Sequence, residues 1–354
     1  MLKQNTPIKQ LIILILIVFL GCQKKTKNTK TTPTVITQKE KDSIEKAYTV
    51  NEMFEKGDAR RYGLTPKTSR KKHKYFKTNN LLSVLDLAEK TGIKMSIAKG
   101  YYPVNLILDG RKNVKLHFNQ AVFESISISD KNGKLDKPKN INLTGTIIAY
   151  RSLNIVEANN IAFDTVILRS NPDIKKRKYR NQGCSVYHGV KNLSIKYLRI
   201  DDLGSGDERY KYATAALRFH GWKNNPENVT IDELHIKSSD RHAVYLTGKH
   251  HKFGRIAIDQ FGQGDTKGMS GMQDSKPGQE HEITGIWLNK CTDTSIGEII
   301  INTKKSKGKY AFKFERGDIY FPTKIGRITI LNYTDKLPLD YPPNVVEISE
   351  IIKK

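Results

Sequence analysis

Cysteine is scarce in this chain, with three in 354 residues: Cys22, Cys184 and Cys291. That excludes a small disulfide-stapled scaffold, which needs paired cysteines at short intervals. Tryptophan is scarcer, with two. No apolar run approaches the roughly 20 residues that a membrane-crossing helix needs; the longest, Leu11 to Leu20, has ten. Acidic residues are also short, 36 against 61 Lys and Arg, for a formal net charge of +25. So strong an imbalance implies an anionic partner, and it excludes a chain whose surface charges cancel.

What is present at the N-terminus is Lys3, Lys9, the ten-residue apolar run and Gly21-Cys22. This reads as a secretory signal rather than a span. Phe19-Leu20-Gly21-Cys22 resembles the lipobox of bacterial lipoproteins, in which the signal is removed before the Cys and the thiol is acylated. The resemblance implies a signal peptide over 1–21, lipidation at Cys22, and a place in the bacterial cell envelope. The membrane partner would be the outer membrane, the body facing periplasm or cell surface. Export argues against nucleic acid, the usual partner of a basic chain. An acidic polysaccharide outside the cell satisfies both the charge and the location. Nothing calls for a second chain, so a monomer is expected.

From Cys22 to about Asp42 the chain is rich in Thr and Lys and poor in apolar residues, which reads as a flexible tether. Residues 43–79, with the basic run Arg70-Lys71-Lys72-His73-Lys74, form an ill-defined leader packed on the body. From Asn80 to Gly92 a helix is predicted, with Asn80 as its N-cap, apolar Leu81, Leu82, Val84, Leu85 and Ala88, and Gly92 as its stop. Ile93, Met95 and Ile97 then alternate as a strand.

Beyond this point one nine-residue frame recurs, from Asn160, Asn192, Asn228, His250, Asp293 and Pro322. Its fourth, seventh and ninth positions are always Ile, Leu, Val or Phe. Variable spacing between frames fits turns that absorb insertions around a fixed strand. A second strand follows the frames, "CSVYHG" from Cys184, "ALRFHG" from Ala216, "AVYLTG" from Ala243, "GIWLNK" from Gly285 and "AFKFER" from Ala311. No segment between them has the length and period of a helix. The fold class expected over 80–354 is all-β, a right-handed parallel β-helix: a single-stranded solenoid with an N-terminal capping helix. The helix, the strand ending at Gly100-Tyr101 and the following "NLILDGRKNVKLHF" resemble the opening coil of pectate-lyase-like β-helix proteins, a superfamily of polysaccharide lyases and glycoside hydrolases. About three coils separate Cys184 from Cys291, ~14 Å at ~4.8 Å per strand. That exceeds disulfide reach, so two free, mostly buried thiols are expected.

Alternation in the second strand sends Leu217, Phe219, Val244, Leu246, Ile286, Leu288, Phe312 and Phe314 inward. Outward stand Val186, Arg218, Tyr245, Trp287 and Lys313, and beside them His188, His220, Thr247, Asn289 and Glu315. The longest insertions, Ser170 to Gly183, Leu203 to Ala213 and Gln260 to Thr284, fall just before this strand and would wall the strip into a cleft. By contrast Arg169, Asp201, Lys237 and Asp259, just after the frame, alternate in sign and read as a stabilising charge ladder.

The mixed chemistry of the strip suits an acidic polysaccharide. A lyase needs a cation on the uronate carboxylate and a base for the proton α to it. Arg218 is the candidate cation, with calcium as the substitute; no other cofactor is called for. The base is His220, Tyr245 or Lys313. Trp287 would stack on sugar, with His188, Asn289, Arg241 and His242 binding substrate. A hydrolase needs two carboxyls roughly 5–9 Å apart, for which the candidates are Asp240, Glu315, Glu280 and Glu282. The polygalacturonases of the same superfamily invite comparison of their Asp-Asp and Gly-His-Gly signatures with Asp201-Asp202 and His220-Gly221, but Phe219 precedes the His here. A non-catalytic glycan-binding lipoprotein is the third reading. His250-His251 lacks metal-site geometry, so no metal site is expected.

Overall fold

The structure, a computed structural model, describes residues 36–48, 51–67, 79–174, 180–204, 215–221, 223–264 and 283–354. The signal, Cys22, the run Arg70 to Lys74, and Glu280 and Glu282 lie outside the described residues, as do 175–179, 205–214 and 265–282 at the three insertions. The chain divides into two compact units, Met1–Glu40 and Lys41–Lys354, and the strands among the described residues all lie in the second.

The recurrent frames form the strands Asn159–Leu168, Lys191–Ile200, Glu227–Ile236, Lys252–Ile258, Ser295–Asn302 and Thr323–Leu331, with Val346–Lys353 at the end. Each pairs in parallel with the next. The register stacks the fourth positions of the frame on one another: Phe163, Ile195, Ile231, Phe253, Ile296 and Ile325, all buried. The intervening strands Cys184–Tyr187, Ala215–His220, His242–Lys249, Thr284–Thr292, Tyr310–Glu315 and Leu339–Asp340 form a second parallel ladder. One backbone pair, Glu227 with Lys249, links the two ladders and closes a ring of seven strands. The chain is thus all-β with parallel strands, and both ladders contribute inward apolar residues to one large core cluster.

Two side-chain columns hold neighbouring strands in register. The first residue of the frame turns the chain with positive φ: 57° at Asn160, 54° at Asn192 and 54° at Asn228. Asparagine tolerates this region better than other L-residues. The amides then chain together, Asn140 donating to Asn113, Asn160 to Asn140, Asn192 to Asn159 and Asn228 to Asn192. Higher up, His250 Nδ1 donates to Asp293 Oδ2 at 2.7 Å in the same role. Glycine at 192 keeps the φ and loses only the amide, whereas alanine loses both. Asn192→Ala is therefore expected to be less stable than Asn192→Gly by about 1 kcal/mol in urea unfolding; the reverse order would contradict this account of the turn.

The sixth position of the frame carries a charge ladder: Glu233, Arg255, Glu298, Arg327 and Glu350 stand in register on successive strands. Arg255 reaches Glu233 at 3.6 Å and Glu298 at 3.3 Å, and Arg327 reaches Glu298 at 3.7 Å and Glu350 at 2.6 Å. The ladder expected just after the frame does not form. Those residues lie past the strand ends, where the chain turns, so Asp201 pairs with Arg199 and Asp259 with His235 instead. Glu298→Lys breaks two pairs and places three cations in a row. It should cost about 1–2 kcal/mol at cross-strand pair strengths, and much less in high salt.

At the N-terminal end, helix α1 (Gln38–Glu45) begins within the stretch read as a tether, and a 3-10 helix spans Ala59–Tyr62. Helix α2 (Asn79–Thr91) matches the expected helix, and Gly92 follows it at φ 67°. Asn80 lies inside α2 rather than capping it, and its amide donates to Gly63 O at 2.7 Å. Leu81, Val84, Leu85, Leu87 and Ala88 join the common core, while Leu82 faces solvent. Part of the leader is therefore ordered structure, since Ala59, Tyr62 and Leu64 are buried in the same cluster. Both body cysteines are free and buried. No helix among the described residues is long and apolar enough to cross a membrane.

Candidate functional site

The second ladder carries the strip. Leu217, Phe219, Val244, Leu246, Ile286, Leu288, Phe312 and Phe314 are buried in the core as expected. The opposite face stacks Ser185, Arg218, Tyr245, Trp287, Lys313 and Asp340 in register. Beside this column, Tyr187 pairs with His220 and Asn289 with Glu315. A bulge between Leu246 and Gly248 breaks the second column, and Thr247 turns to Phe219 O and Asn225.

The lower end of the strip departs from expectation by one residue. Cys184 and Val186 join the apolar core, while Ser185, itself covered, and Tyr187 stand in register with Arg218 and His220 on the outer face. A slip of one residue exchanges the faces of a strand. His188 consequently leaves the strip for the following turn, where its Nε2 lies 4.0 Å from Glu157 Oε1.

Arg218 and His220 form one end of the site. One Arg218 nitrogen, Nη2, donates to Ser185 Oγ at 3.0 Å and to Tyr187 Oη at 2.6 Å. The guanidinium carbon stands 5.3 Å from the Tyr187 ring centre. Its partners are hydroxyls, and among the described residues no carboxylate pairs with it; its buried Nε has no hydrogen-bond partner among them either. This is a half-buried cation held in place by neutral groups. His220 follows two residues later on the same face, ~7 Å along the strand. Burial, with added repulsion from Arg218 and His188, lowers its pKa below the ordinary 6.5. The imidazole is therefore neutral near pH 7 and free to accept a proton.

The middle of the strip is closed. Tyr245 and Trp287 are 6 % and 2 % exposed and form a small apolar cluster with Ala215. Their ring centres are 4.8 Å apart, and the His242 ring lies 5.5 Å from that of Trp287. Trp287 is thus an enclosed ring rather than an open stacking platform. Tyr245 Oη accepts from Asn289 Nδ2 at 3.2 Å, and burial raises its pKa above 10, which makes it an acid rather than a base at neutral pH.

At the other end, Lys313 forms an ion pair with Glu315, and Trp287 Nε1 donates to Glu315 Oε2 at 3.2 Å. The Lys313 ammonium also stands 5.2 Å from the Tyr310 ring centre. Lys313 is thus engaged with a carboxylate and an aromatic ring on the strip. Asp340, in register with Lys313, adds a second carboxylate near Glu315.

The segment Ser239 to His242 is internal rather than a surface contact. Asp240, Arg241 and His242 are buried, and Arg241 heads the largest fully enclosed side chains. Ser239 Oγ accepts from Arg241 N at 3.1 Å and donates to His242 O at 2.8 Å, and Thr284 N donates to His242 Nδ1 at 2.9 Å. Arg241 and His242 therefore support the strip from within. Asp201 and Asp202 are likewise engaged, with Arg199 and with Ser170 Oγ. Among the described residues no group of three or more His, Cys, Asp or Glu is placed to hold a metal ion.

A concavity of about 670 Å³ lies elsewhere, at the asparagine corner, lined by Lys191, Asn228, His250, Lys252 and Lys324 among others. Its charges largely cancel, with Lys191 3.3 Å from Glu227 and His250 paired to Asp293, so the strip is the better-prepared anion site. Ser185, Tyr187, Tyr310 and Asp340 are the participants that sequence reasoning missed. The apolar alternation of Cys184 and Val186 was the available signal for the first two. No family model, no curated protein and no solved structure matches this chain.

Proposed function

We propose that the two parallel ladders are faces of a right-handed parallel β-helix capped by α2, and that the protein is an envelope-tethered lyase. Its substrate is an acidic polysaccharide, cut by β-elimination next to a uronate. The observation that carries this reading is Arg218, a guanidinium with hydroxyl partners, beside a histidine kept neutral.

In the proposed reaction Arg218 takes the uronate carboxylate and stabilises the charge that grows on it as the α-proton leaves. His220 accepts that proton. The electron pair left on the α-carbon forms the new double bond as the glycosidic C–O bond on the neighbouring carbon breaks. Tyr245, one strand from Arg218 and kept protonated by burial, supplies the proton to the departing oxygen. Lys313, three strands up the column and ~14 Å from Arg218, serves a neighbouring acidic sugar of the chain. Calcium can assist at the carboxylate, and its contribution is read by adding it.

Because Asp340 stands near Glu315 on the strip, a glycoside hydrolase acting between those two carboxylates is the runner-up. Mass spectrometry of the oligosaccharides separates the two reactions. Elimination leaves each new non-reducing end one water lighter than hydrolysis does. Light ends are expected; ends of full mass would sink the lyase reading in favour of the hydrolase. Intact polymer that is nonetheless retained by the protein would leave a glycan-binding lipoprotein.

A further inference from the structure

We propose that the turn from Gly317 to Pro322 is a membrane-contacting tip that seats the body on a bilayer with anionic headgroups. Ile319, Tyr320 and Phe321 are consecutive and 57 %, 81 % and 60 % exposed. Among the described residues the other large exposed apolar side chains, Met53, Leu82, Ile107 and Leu135, stand singly. Scattered exposure is ordinary, whereas three adjacent apolar side chains at a turn mark a surface that something covers.

The turn is held in shape. Asp318 Oδ1 accepts from Tyr320 N at 2.8 Å, and Phe321 O accepts from Asp293 N at 2.9 Å, which fixes the tip to the turn of the preceding strand pair. The adjoining turns supply cations. Lys290 N donates to Arg316 O at 2.8 Å, so these two exposed side chains leave from neighbouring turns, and Lys324 follows the tip and is exposed. The acidic groups nearby are Asp293, taken by His250, Asp318, engaged with the turn itself, and Glu347, 3.8 Å from Lys324. An apolar tip containing two aromatic rings and flanked by Lys and Arg has the composition that partitions into a membrane interface. The aliphatic Ile319, exposed beside the two rings, favours lipid over sugar, which stacks on aromatic faces. The seat is independent of the strip and of its chemistry.

The test places a tryptophan at the tip of the full chain, Tyr320→Trp, a substitution at an exposed site that leaves the core untouched. Emission beyond that of the unsubstituted chain is recorded with phosphatidylglycerol vesicles, with phosphatidylcholine vesicles, with brominated lipid in either, and with an acidic polysaccharide. A blue shift and bromine quenching with phosphatidylglycerol are expected. Adding Arg316→Gln and Lys324→Gln should weaken that partition by about 30-fold, at roughly fivefold per cation removed. An added tryptophan that ignores vesicles to which the chain is already held by its N-terminal segment would overturn the proposal. So would a response to the polysaccharide alone.

Discussion

Arg218→Ala is expected to lower kcat/KM on an acidic polysaccharide by about 10²–10³, the loss found when one preorganised donor to a developing anion is removed. The argument rests on what the guanidinium touches. Its bonds to Ser185 and Tyr187 orient it without neutralising it, so its charge remains available to substrate. Arg218→Lys should recover only part of the activity, because an ammonium cannot reproduce a planar fork held by two hydroxyls. Arg218→Ala should also move the acid limb of the pH profile. Burial is the main cause of the low His220 pKa and Arg218 is the next. Without the guanidinium the imidazole titrates higher, and residual activity should fall off at higher pH than in the parent. Unchanged activity in Arg218→Ala would remove the residue from the mechanism.

His251 is expected to have the largest effect on stability. The ring is fully buried and packs 5.0 Å from the Phe219 ring centre. Val229 N donates to its Nδ1 at 3.3 Å, so the proton sits on Nε2, which donates to Thr247 O at 3.1 Å. The imidazole thus joins the two ladders and answers two buried backbone groups. His251→Ala leaves both groups unpaired beside a cavity and should cost about 3–5 kcal/mol. Burial pushes its pKa down to about 4, against 6.5 for an ordinary imidazole. The folded protein keeps the ring neutral where the unfolded chain takes a proton. Its stabilisation is therefore complete above pH 6.5 and is lost as pH falls towards about 4, by about 3 kcal/mol across the range. Urea midpoints at pH 7 and pH 4.5 should fall more steeply for the parent than for His251→Ala. Parallel slopes would show that another group sets the acid sensitivity.

The frame was legible because its information is periodic. Apolar residues at positions four, seven and nine survive any length of intervening turn, and all six frames stack in the register that those positions imply. The opening asparagine was visible as a letter, but its service as a left-handed turn and amide ladder depends on φ, which composition does not carry. The strip was legible at Arg218, Tyr245, Trp287, Lys313 and Glu315, where alternation is strong. It failed at Cys184, where matching the His-Gly pairs of two strands outweighed the burial of Cys184 and Val186. Alternation also equates an outward face with solvent. For Tyr245 and Trp287 that is untrue, since both rings pack in a second apolar cluster on the outer face. Arg241 was misread for a related reason: charge normally keeps a side chain in water, yet this one is enclosed where the turn enters the strand. Asp340 sits on a strand of two residues, too short to show any period.

The central claim, β-elimination at the Arg218 end of the strip, is tested most directly by ultraviolet absorbance. The protein is incubated with alginate, pectate and glycosaminoglycans, each with and without calcium, and the absorbance of the unsaturated uronate is followed. A rise on at least one polymer, absent in Arg218→Ala, is the predicted result. A flat trace on every polymer, or an equal rise in the variant, would contradict it.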